Sequence, residues 1–471
     1  MLRKVETPGG ARPASGGVAR NLYAGTLAVG LLIVLAAGLP GHMTTDSVIQ
    51  LAEGRAGEQR SFNPAFMSWL LGLFDSLLSG TALFVAFSVA LLFGAFAALP
   101  RLAGRVHVLA APVLALVILS PQVLIYQGAV WKDVFFANAA IAGTVLLAIS
   151  AERGGLRGAG LAAWVSGLVL LVVAALVRQN GVLALGAAAL AFGVAIGSRQ
   201  GWRLGLGAAG AVLAAGLVLF LAVGLVMTRA MPSSSPQASG AGLRVIQHFD
   251  LVGVAARDPK ASLAPLEAAD PQAAATLRSL APQGYNPERV DTIGEVPGLG
   301  EALWRTPEGV ASRTWAHVVT TEFSDYAAHR LEVFQQAFLT PDILACLPVT
   351  TGVQGPEAVL EELGMPSRQD RRDHELYNYA TWFFDTPVLS HLTYALLSLG
   401  VMAALVLRGR PSDWVMAGLQ AGALAFAGSF LLIALACDYR YLYFLDLAAL
   451  FGLVHLALDP PWADIRRRFQ T

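Results

Sequence analysis

The sequence predicts an all-α protein that crosses a membrane about ten times. Of its 471 residues, 55% are hydrophobic and only 14% are charged, whereas an average soluble domain carries about 25% charged residues. Apolar stretches long enough to cross ~30 Å of hydrocarbon recur along the chain. Arginines gather in every second connection between these stretches, as expected for loops on the cytoplasmic side of a membrane. These observations exclude an ordinary soluble fold.

Individual spans can be placed from the apolar runs. The segment 64–78 is apolar but short, and we interpret it as a membrane-surface or re-entrant helix. The first span could also be a cleaved signal peptide with small residues at its exit, although its apolar run is long for one. The ten predicted spans are 22–40, 80–99, 107–125, 133–150, 159–177, 181–198, 205–227, 387–407, 413–435 and 441–458.

Arginine placement orients the predicted spans. Because the basic connections are expected in the cytoplasm, both termini lie there and the other connections lie outside. The basic residues are Arg3, Lys4, Arg12, Arg20, Arg101, Arg105, Arg153, Arg157, Arg199, Arg203, Arg408, Arg410, Arg466, Arg467 and Arg468. The outer connections are the first loop 41–79, the turns 126–132, 178–180 and 436–440, and the long segment 228–386.

These assignments divide the chain into five parts. Segment 228–386 has ordinary soluble composition, and we expect one mixed, mostly helical extracytoplasmic domain with helical stretches at 262–281 and 309–338. We see no inverted repeat of the transporter type. The parts are a cytoplasmic tail 1–21, a transmembrane module 22–227, the domain 228–386, the C-terminal transmembrane helices 387–458 and a cytoplasmic tail 459–471.

Charge and cysteine content exclude several classes of function. The formal net charge is zero, so no basic excess indicates nucleic acid as a partner. Two cysteines, Cys346 and Cys437, are too few for a disulfide framework or a cysteine-based zinc cluster. Both fall on the predicted outer side, where they can pair in an oxidising compartment. The alternative is that Cys437 is simply packed at the end of a span.

The first outer loop contains a candidate catalytic acid, Asp46. Thr45 or Asp46 could cap the helix that follows, because a side-chain oxygen accepts from the free amides of a first turn. The functional alternative is a carboxylate at the mouth of a membrane cavity that takes a proton from a hydroxyl group. Gln50 follows one helical turn later, and the loop ends with Asn63-Pro64.

Three further outer turns carry charge beside apolar spans. Each has a structural alternative: an interfacial tryptophan with a local ion pair, a snorkelling arginine, and an Asp–Arg pair. An arginine fork also fits phosphate oxygens, and ionisable groups at a membrane are costly and often mark a site. The turns carry Trp131-Lys132-Asp133, Arg178-Gln179-Asn180 and Asp438-Tyr439-Arg440-Tyr441.

The joint pattern resembles the GT-C superfamily of membrane glycosyltransferases, and in particular its bacterial family-39-like members. The residues that carry the resemblance are the motif from Asp46-Ser47 to Gln50, the turn Trp131-Lys132-Asp133, the turn Arg178-Gln179-Asn180-Gly181 and the late turn Asp438-Tyr439-Arg440-Tyr441. The sequence departs from the family pattern at Asn63-Pro64, where His-Pro is usual. The resemblance covers the membrane portion and is weak in 228–386.

The resemblance implies an inverting transferase that uses a polyprenyl-phosphate sugar on the outer face of a bacterial cytoplasmic membrane. Its acceptor would be an envelope glycan, lipid or protein. In this assignment Asp46 is the base, Asp133 a second carboxylate, and Arg178, Lys132 and Arg440 clamp the phosphate. Asp46 and Asp133 could also hold Mg²⁺ or Mn²⁺ with the phosphate. Further substrate contacts are assigned to Gln50, Asn63, Asn180, Asp438 and Tyr441.

Two other classes of function compete with a transferase. A transporter or flippase of a lipid-linked or anionic substrate would also have about ten spans, but it usually places ionisable residues near the bilayer centre. In this chain we expect them at one face. The second alternative is a non-catalytic protein of envelope-polysaccharide assembly. It stays an alternative because Asn63 replaces the histidine of the family pattern.

Overall fold

The computed structural model describes residues 15–155, 158–234 and 241–460. The described part is built from α-helices and short 3-10 helices, with isolated backbone bridges in place of β-strands. The all-α fold class is therefore confirmed. Predictions about Arg3, Lys4, Arg12, Arg157 and Arg466, Arg467 and Arg468 fall outside the described residues.

The first part of the chain forms ten helices. They are α1 (Ser15–Gly38), α2 (Thr45–Ala56), α3 (Ala65–Leu77), α4 (Ala82–Ala98), α5 (Ala110–Leu119), α6 (Pro121–Leu124), α7 (Lys132–Glu152), α8 (Ala159–Val177), α9 (Val182–Gln200) and α10 (Trp202–Ala230). The last part forms α20 (His391–Arg408), α21 (Pro411–Ile433) and α22 (Tyr443–Leu458), with a 3-10 turn at Tyr439–Leu442 before α22.

Nine of the described helical segments are long and apolar enough to cross a membrane, and a bent pair brings the number to ten. The predicted span 107–125 corresponds to this bent pair, in which α5 and the Pro121–Gly128 segment meet at 66°. Ser120 is extended before Pro121, since a residue preceding proline avoids the α conformation. Helix α3 is a short apolar helix, as predicted for 64–78.

The segment between the two membrane parts is helical. Its helices are α11 (Ala241–Arg257), α12 (Ala264–Ala269), α13 (Pro271–Gly284), α14 (Thr292–Glu295), α15 (Leu299–Arg305), α16 (Glu308–Thr321), α17 (Phe323–Leu339), α18 (Glu357–Leu363) and α19 (Arg371–Thr381). We call α11–α19 the domain, and the adjoining end of the helix bundle the domain end.

The two helical stretches predicted in the domain each consist of two helices. The stretch 262–281 breaks at Asp270, whose side chain caps α13 by accepting from the amide of Ala273 at 2.9 Å. A carboxylate that accepts from an amide of the following turn favours a helix boundary. The stretch 309–338 breaks at Glu322, whose carboxylate accepts from the amide of Ser262 at 3.0 Å and does not cap α17.

Helix α7 is the centre of the bundle. It is buried along nearly its whole length and packs against α4, α8, α9, α21 and α22. Gly143 of α7 and Gly167 of α8 lie in contact, since a Cβ added at either would come 2.8 Å from the carbonyl oxygen of the other. This close approach fixes α7 beside α8, and the first turn of α7 carries Lys132 and Asp133.

The first loop is bonded to both the bundle and the domain. The amide of His42 donates to the carbonyl of Gly128 at 2.8 Å, and the amide of Val130 donates to the carbonyl of His42 at 2.9 Å. On the other side, the amide of Met43 donates to the carbonyl of Gly352 at 2.8 Å. The chain leading into α2 is therefore held from two directions, and α18 packs on α2.

Buried charge also occurs at the end of the bundle opposite the domain. Arg408 donates to both carboxylate oxygens of Asp413, at 2.8 and 2.6 Å, and to His455 Nε2 at 3.0 Å. Arg410 donates to Asp459 at 2.6 Å. The expectation that ionisable groups lie at one face is therefore wrong, because α20, α21 and α22 are joined at the opposite end by a buried ion-pair network.

Candidate active site

Asp46 lies in the first turn of α2, and its side chain points away from the capping interaction. The helix begins after Thr44, whose amide donates to Ser47 Oγ at 3.2 Å. The prediction that Thr45 or Asp46 caps this helix is therefore wrong. The Asp46 carboxylate instead accepts a hydrogen bond from Arg440 at 2.7 Å.

Arg440 connects the two ends of the sequence, since Asp46 and Arg440 are separated by 394 residues. Its Nε donates to Asp438 Oδ2 at 2.7 Å. The guanidinium carbon also lies 5.1 Å from the centre of the Trp131 ring, within the range of a cation–π contact. One guanidinium thus joins the first loop, the last outer turn and the approach to α7.

Arg178 and Asp133 form a second ion pair, and both side chains are buried. Aromatic rings surround the guanidinium: its carbon lies 5.4 Å from the centre of the Phe430 ring and 5.5 Å from that of Tyr441. The Tyr441 ring is also 5.9 Å from the guanidinium carbon of Arg440. Tyr441 therefore lies between the two arginines, and the two ion pairs belong to one cluster.

The end of the first loop holds the Lys132 side chain in position. Its ammonium donates to Asn63 Oδ1 at 2.7 Å. The loop before Asn63 is held by the buried carboxylate of Glu53, which accepts from the amides of Arg60 and Ser61 at 2.9 and 2.6 Å and from Ser68 Oγ at 2.6 Å. Glu53 was not predicted, because an acid within a helix gives no sequence signal of burial.

Two other predicted contacts, Asn180 and Gln50, show no side-chain hydrogen bond to these residues within the described part of the chain. Asn180 donates to Ser429 Oγ at 3.0 Å, which anchors the turn after Arg178 to α21. Gln50 is buried one turn after Asp46, and its amide nitrogen has no hydrogen-bond partner among the described residues. The candidate site therefore comprises Asp46, Asn63, Lys132, Asp133, Arg178, Asp438, Arg440 and Tyr441.

Charge around Asp46 keeps it ionised. Burial alone would raise the pKa of the Asp46 carboxyl, but the positive charges of Arg440 and Lys132 outweigh that effect and hold the pKa below its usual range. Three carboxylates and three cationic groups in the site balance each other in charge. A buried cluster balanced in this way avoids an uncompensated charge.

His42 is a buried neighbour of this site that the sequence did not single out. Its Nδ1 accepts from the amide of Gly352 at 3.0 Å, and it lies 3.5 Å from Asp373 Oδ1. Burial lowers the pKa of His42 to about 4 despite the negative charge of Asp373. A neutral imidazole therefore joins the first loop to the domain.

The donor set at the site does not fit Mg²⁺ or Mn²⁺. Asp46 is bonded to Arg440 and Asp133 to Arg178, so a divalent cation would compete with fixed positive charges for both carboxylates. Among the described residues, the group of three carboxylates close enough together to share an ion is Asp258, Glu322 and Asp325, which lies in the domain.

A disulfide joins Cys346, which follows α17, to Cys437 in the last outer turn. The amide of Tyr439 also donates to the carbonyl of Cys346 at 2.9 Å. The disulfide alternative is therefore present in the structure. It ties the turn that carries Asp438 and Arg440 to the domain.

The chain is similar in structure to a solved protein, although no sequence comparison finds a match. No family model and no curated protein sequence matches the chain. Among solved structures, the chain is similar to the archaeal oligosaccharyltransferase AglB from Archaeoglobus fulgidus, solved in complex with an inhibitory peptide and a dolichol-phosphate. The likeness has 12% sequence identity and a TM-score of 0.41, and it covers 96% of this chain. The chain spans about half the length of that protein, 52%.

Proposed function

We propose that this chain is an inverting glycosyltransferase. It transfers a sugar from a polyprenyl-phosphate donor to a hydroxyl group of an envelope glycan, lipid or protein. The observation that carries the proposal is the meeting of Asp46, from the first loop, with Arg440 and with the Arg178–Asp133 pair in one cluster at the domain end. A carboxylate beside several cations suits a reaction that removes a proton and releases a phosphate.

The reaction assigns a role to each charge. Asp46 takes the proton of the acceptor hydroxyl as its oxygen bonds to the anomeric carbon of the sugar. The bond between that carbon and the phosphate oxygen breaks, and the electron pair leaves with the phosphate. One negative charge thereby moves from Asp46 to the departing phosphate. Fixed positive charge at that point stabilises the transition state more than the ground state.

Arg178 and Arg440 are the proposed phosphate clamp, with Lys132 beside them. Without a ligand each arginine is neutralised by a carboxylate. Phosphate oxygens accept bidentate hydrogen bonds from a guanidinium group, so binding would exchange a carboxylate for phosphate. At Arg440 this exchange would free Asp46 to act as a base. Asn63 positions Lys132 in this arrangement, although the family pattern has histidine there.

We place the site on the extracytoplasmic face of a bacterial cytoplasmic membrane. The basic residues Arg105, Arg199 and Arg408 lie at the end of the bundle opposite the domain, which favours a cytoplasmic location for that end. The disulfide between Cys346 and Cys437 lies at the domain end, and disulfides persist in oxidising compartments. Because nucleotide sugars are absent outside the cytoplasm, a lipid-linked donor fits this location.

A transporter of a lipid-linked or anionic substrate is the second candidate. Buried ionisable groups at several depths favour it, namely the Arg408–Asp413 pair and the hydrogen bond of 2.8 Å between His391 and Asp446. A transporter would move the lipid-linked sugar intact, whereas a transferase would release polyprenyl phosphate. The chemical identity of the lipid after incubation therefore separates the two candidates.

Binding of undecaprenyl phosphate to variants at position 178 tests the clamp. Wild type should bind more tightly than Arg178→Lys, which keeps the charge but loses the fork, and Arg178→Lys more tightly than Arg178→Ala. Loss of a hydrogen bond between charged groups is worth about 1.5–3 kcal/mol, so we expect a roughly 10- to 100-fold weaker affinity for Arg178→Ala. Native mass spectrometry in lipid nanodiscs measures the affinities.

Two controls keep this test specific. Arg199 lies at the opposite end and bonds the carbonyl of Ala151, so Arg199→Ala should bind like wild type. Asp133→Asn removes the carboxylate partner but retains Arg178, so it should retain phosphate binding even where its stability falls. Equal affinity of wild type and Arg178→Ala would remove Arg178 from the clamp.

A further inference from the structure

The domain contains a cavity of about 250 Å³ that the proposed reaction does not use. Its wall combines an aromatic ring, an imidazole and an acid with small apolar groups. The residues that matter for its chemistry are His248, Val290, Asp291, Gly294, Gly300 and Trp304. Typical pockets for drug-sized ligands measure roughly 300–1,000 Å³, so this cavity suits a single ring.

One wall of the cavity is bonded directly to the chain segment that leads into the candidate active site. The amide of Val290 donates to the carbonyl of Leu435 at 2.9 Å, and the amide of Cys437 donates to the carbonyl of Glu288 at 2.8 Å. Asp438 follows Leu435 by only three residues. The wall of the cavity is therefore linked through backbone hydrogen bonds to the segment that carries Asp438.

Trp304 presents an exposed aromatic ring at the cavity. The residue is 41% exposed, and the Arg244 guanidinium lies over its ring at 4.8 Å from the ring centre. Arg244 is itself fixed, because it donates to the carbonyls of Trp304 and Thr306 at 2.8 and 2.6 Å. A tryptophan side chain offers a large contact area to a ligand at a low cost in conformational entropy.

Polar groups beside the ring complete the cavity. His248 packs edge-on against Trp304, with ring centres 5.0 Å apart. Its Nε2 accepts from Arg244 Nε at 3.4 Å, and burial followed by the charge of Arg244 lowers its pKa to about 4. The neutral ring therefore carries its hydrogen on Nδ1 as a donor. The exposed Asp291 carboxylate supplies acceptors.

We propose that this cavity binds one sugar ring of a saccharide acceptor, with Trp304 stacking on the ring. A pyranose presents an apolar C–H face and a rim of hydroxyl groups, which matches an aromatic platform with a donor and a carboxylate at its edge. A lipid chain would leave the polar groups unpaired. The assignment of this saccharide as the acceptor rests on the proposed glycosyltransferase function, and it narrows the acceptor to a glycan.

Saccharide binding to the full-length chain in nanodiscs tests the proposal. The probes are trisaccharides of glucose, galactose, mannose, rhamnose and N-acetylglucosamine, detected by saturation-transfer NMR. We expect at least one to bind wild type, Trp304→Ala to weaken it at least about 10-fold, and Trp304→Phe to weaken it less because a phenyl ring still stacks. Asp291→Asn should weaken the same probe. Trp382→Ala is the matched control, since Trp382 is 75% exposed elsewhere on the domain.

The outcomes separate the cavity from the proposed function. Absence of binding by every probe to wild type, or unchanged binding by a folded Trp304→Ala variant, would overturn the saccharide site. Undecaprenyl phosphate binding should be the same in wild type and Trp304→Ala, because the clamp is separate. If wild type bound a saccharide but no undecaprenyl phosphate, the cavity would stand and the proposed donor would fall.

Discussion

Because His42 is buried, the structure beside the candidate site depends on the protonation state of this residue. The imidazole is fully buried between the first loop and the domain, where it accepts from the amide of Gly352. Protonation would remove that acceptor and place a charge in a buried position. The hydrogen bond that holds the approach to Asp46 therefore depends on a neutral His42.

This arrangement predicts acid sensitivity. The folded pKa of His42 is about 4, below the value of about 6.5 for an unfolded chain. Below pH 6.5 the unfolded state takes up the proton first. The stability that neutral His42 contributes to the fold is therefore complete above pH 6.5 and is lost as pH falls towards 4. At pH 5 the free energy of unfolding is lower by about 2 kcal/mol than at high pH. Thermal unfolding at pH 7 and pH 5 should show a smaller loss for His42→Asn, which retains an acceptor, than for wild type.

An equal loss of stability between pH 7 and pH 5 in wild type and His42→Asn would contradict this account. The comparison between variants matters because other acidic groups titrate in the same range and contribute equally to both proteins.

Contact between α7 and α8 decides whether the Asp133–Arg178 pair can form. Asp133 lies in the first turn of α7, and Arg178 follows the last residue of α8. The two helices approach closely at Gly143 and Gly167, and small residues permit such close packing in membrane helices. A larger side chain at this contact would separate the helices that carry the pair.

Gly143→Val tests this relation. Overpacking typically costs about 1–3 kcal/mol, so we expect a lower melting temperature and weaker undecaprenyl phosphate binding. Gly94→Val is the matched control, because a Cβ at Gly94 meets nothing within 4 Å. Identical melting temperatures and affinities for the two variants would show that the α7–α8 contact does not hold the site.

At the scale of the whole molecule, apolar length and composition predicted most of the architecture. Nine spans were recognisable because a membrane helix needs a long uninterrupted apolar run. The bend at Pro121 was missed because it lies inside such a run, and hydropathy does not report backbone conformation. The break within 262–281 was not predicted because it depends on the side-chain bond of Asp270 to a backbone amide.

The sequence predicted which charged residues gather at the candidate site, but not which of them form ion pairs. Charged residues beside apolar spans identified Asp46, Asp133, Arg178 and Arg440, yet the partner of each depends on helix packing. Asp46 and Arg440 meet across 394 residues. Glu53 and His42 gave no comparable signal, since an isolated acid or histidine in a loop or helix is usually exposed. Their importance follows from burial, which is a property of the assembled fold.

Release of undecaprenyl phosphate by wild type and Asp46→Asn tests the central claim most directly. Purified protein in nanodiscs is incubated with undecaprenyl-phosphate monosaccharides and an envelope glycan extract, and the released lipid is quantified by mass spectrometry. We expect Asp46→Asn to bind the lipid and melt like wild type while releasing it at least ~100-fold more slowly, as for loss of a general base. Release at the wild-type rate by a folded Asp46→Asn variant would contradict the assignment of Asp46 as the base and the transferase built on it.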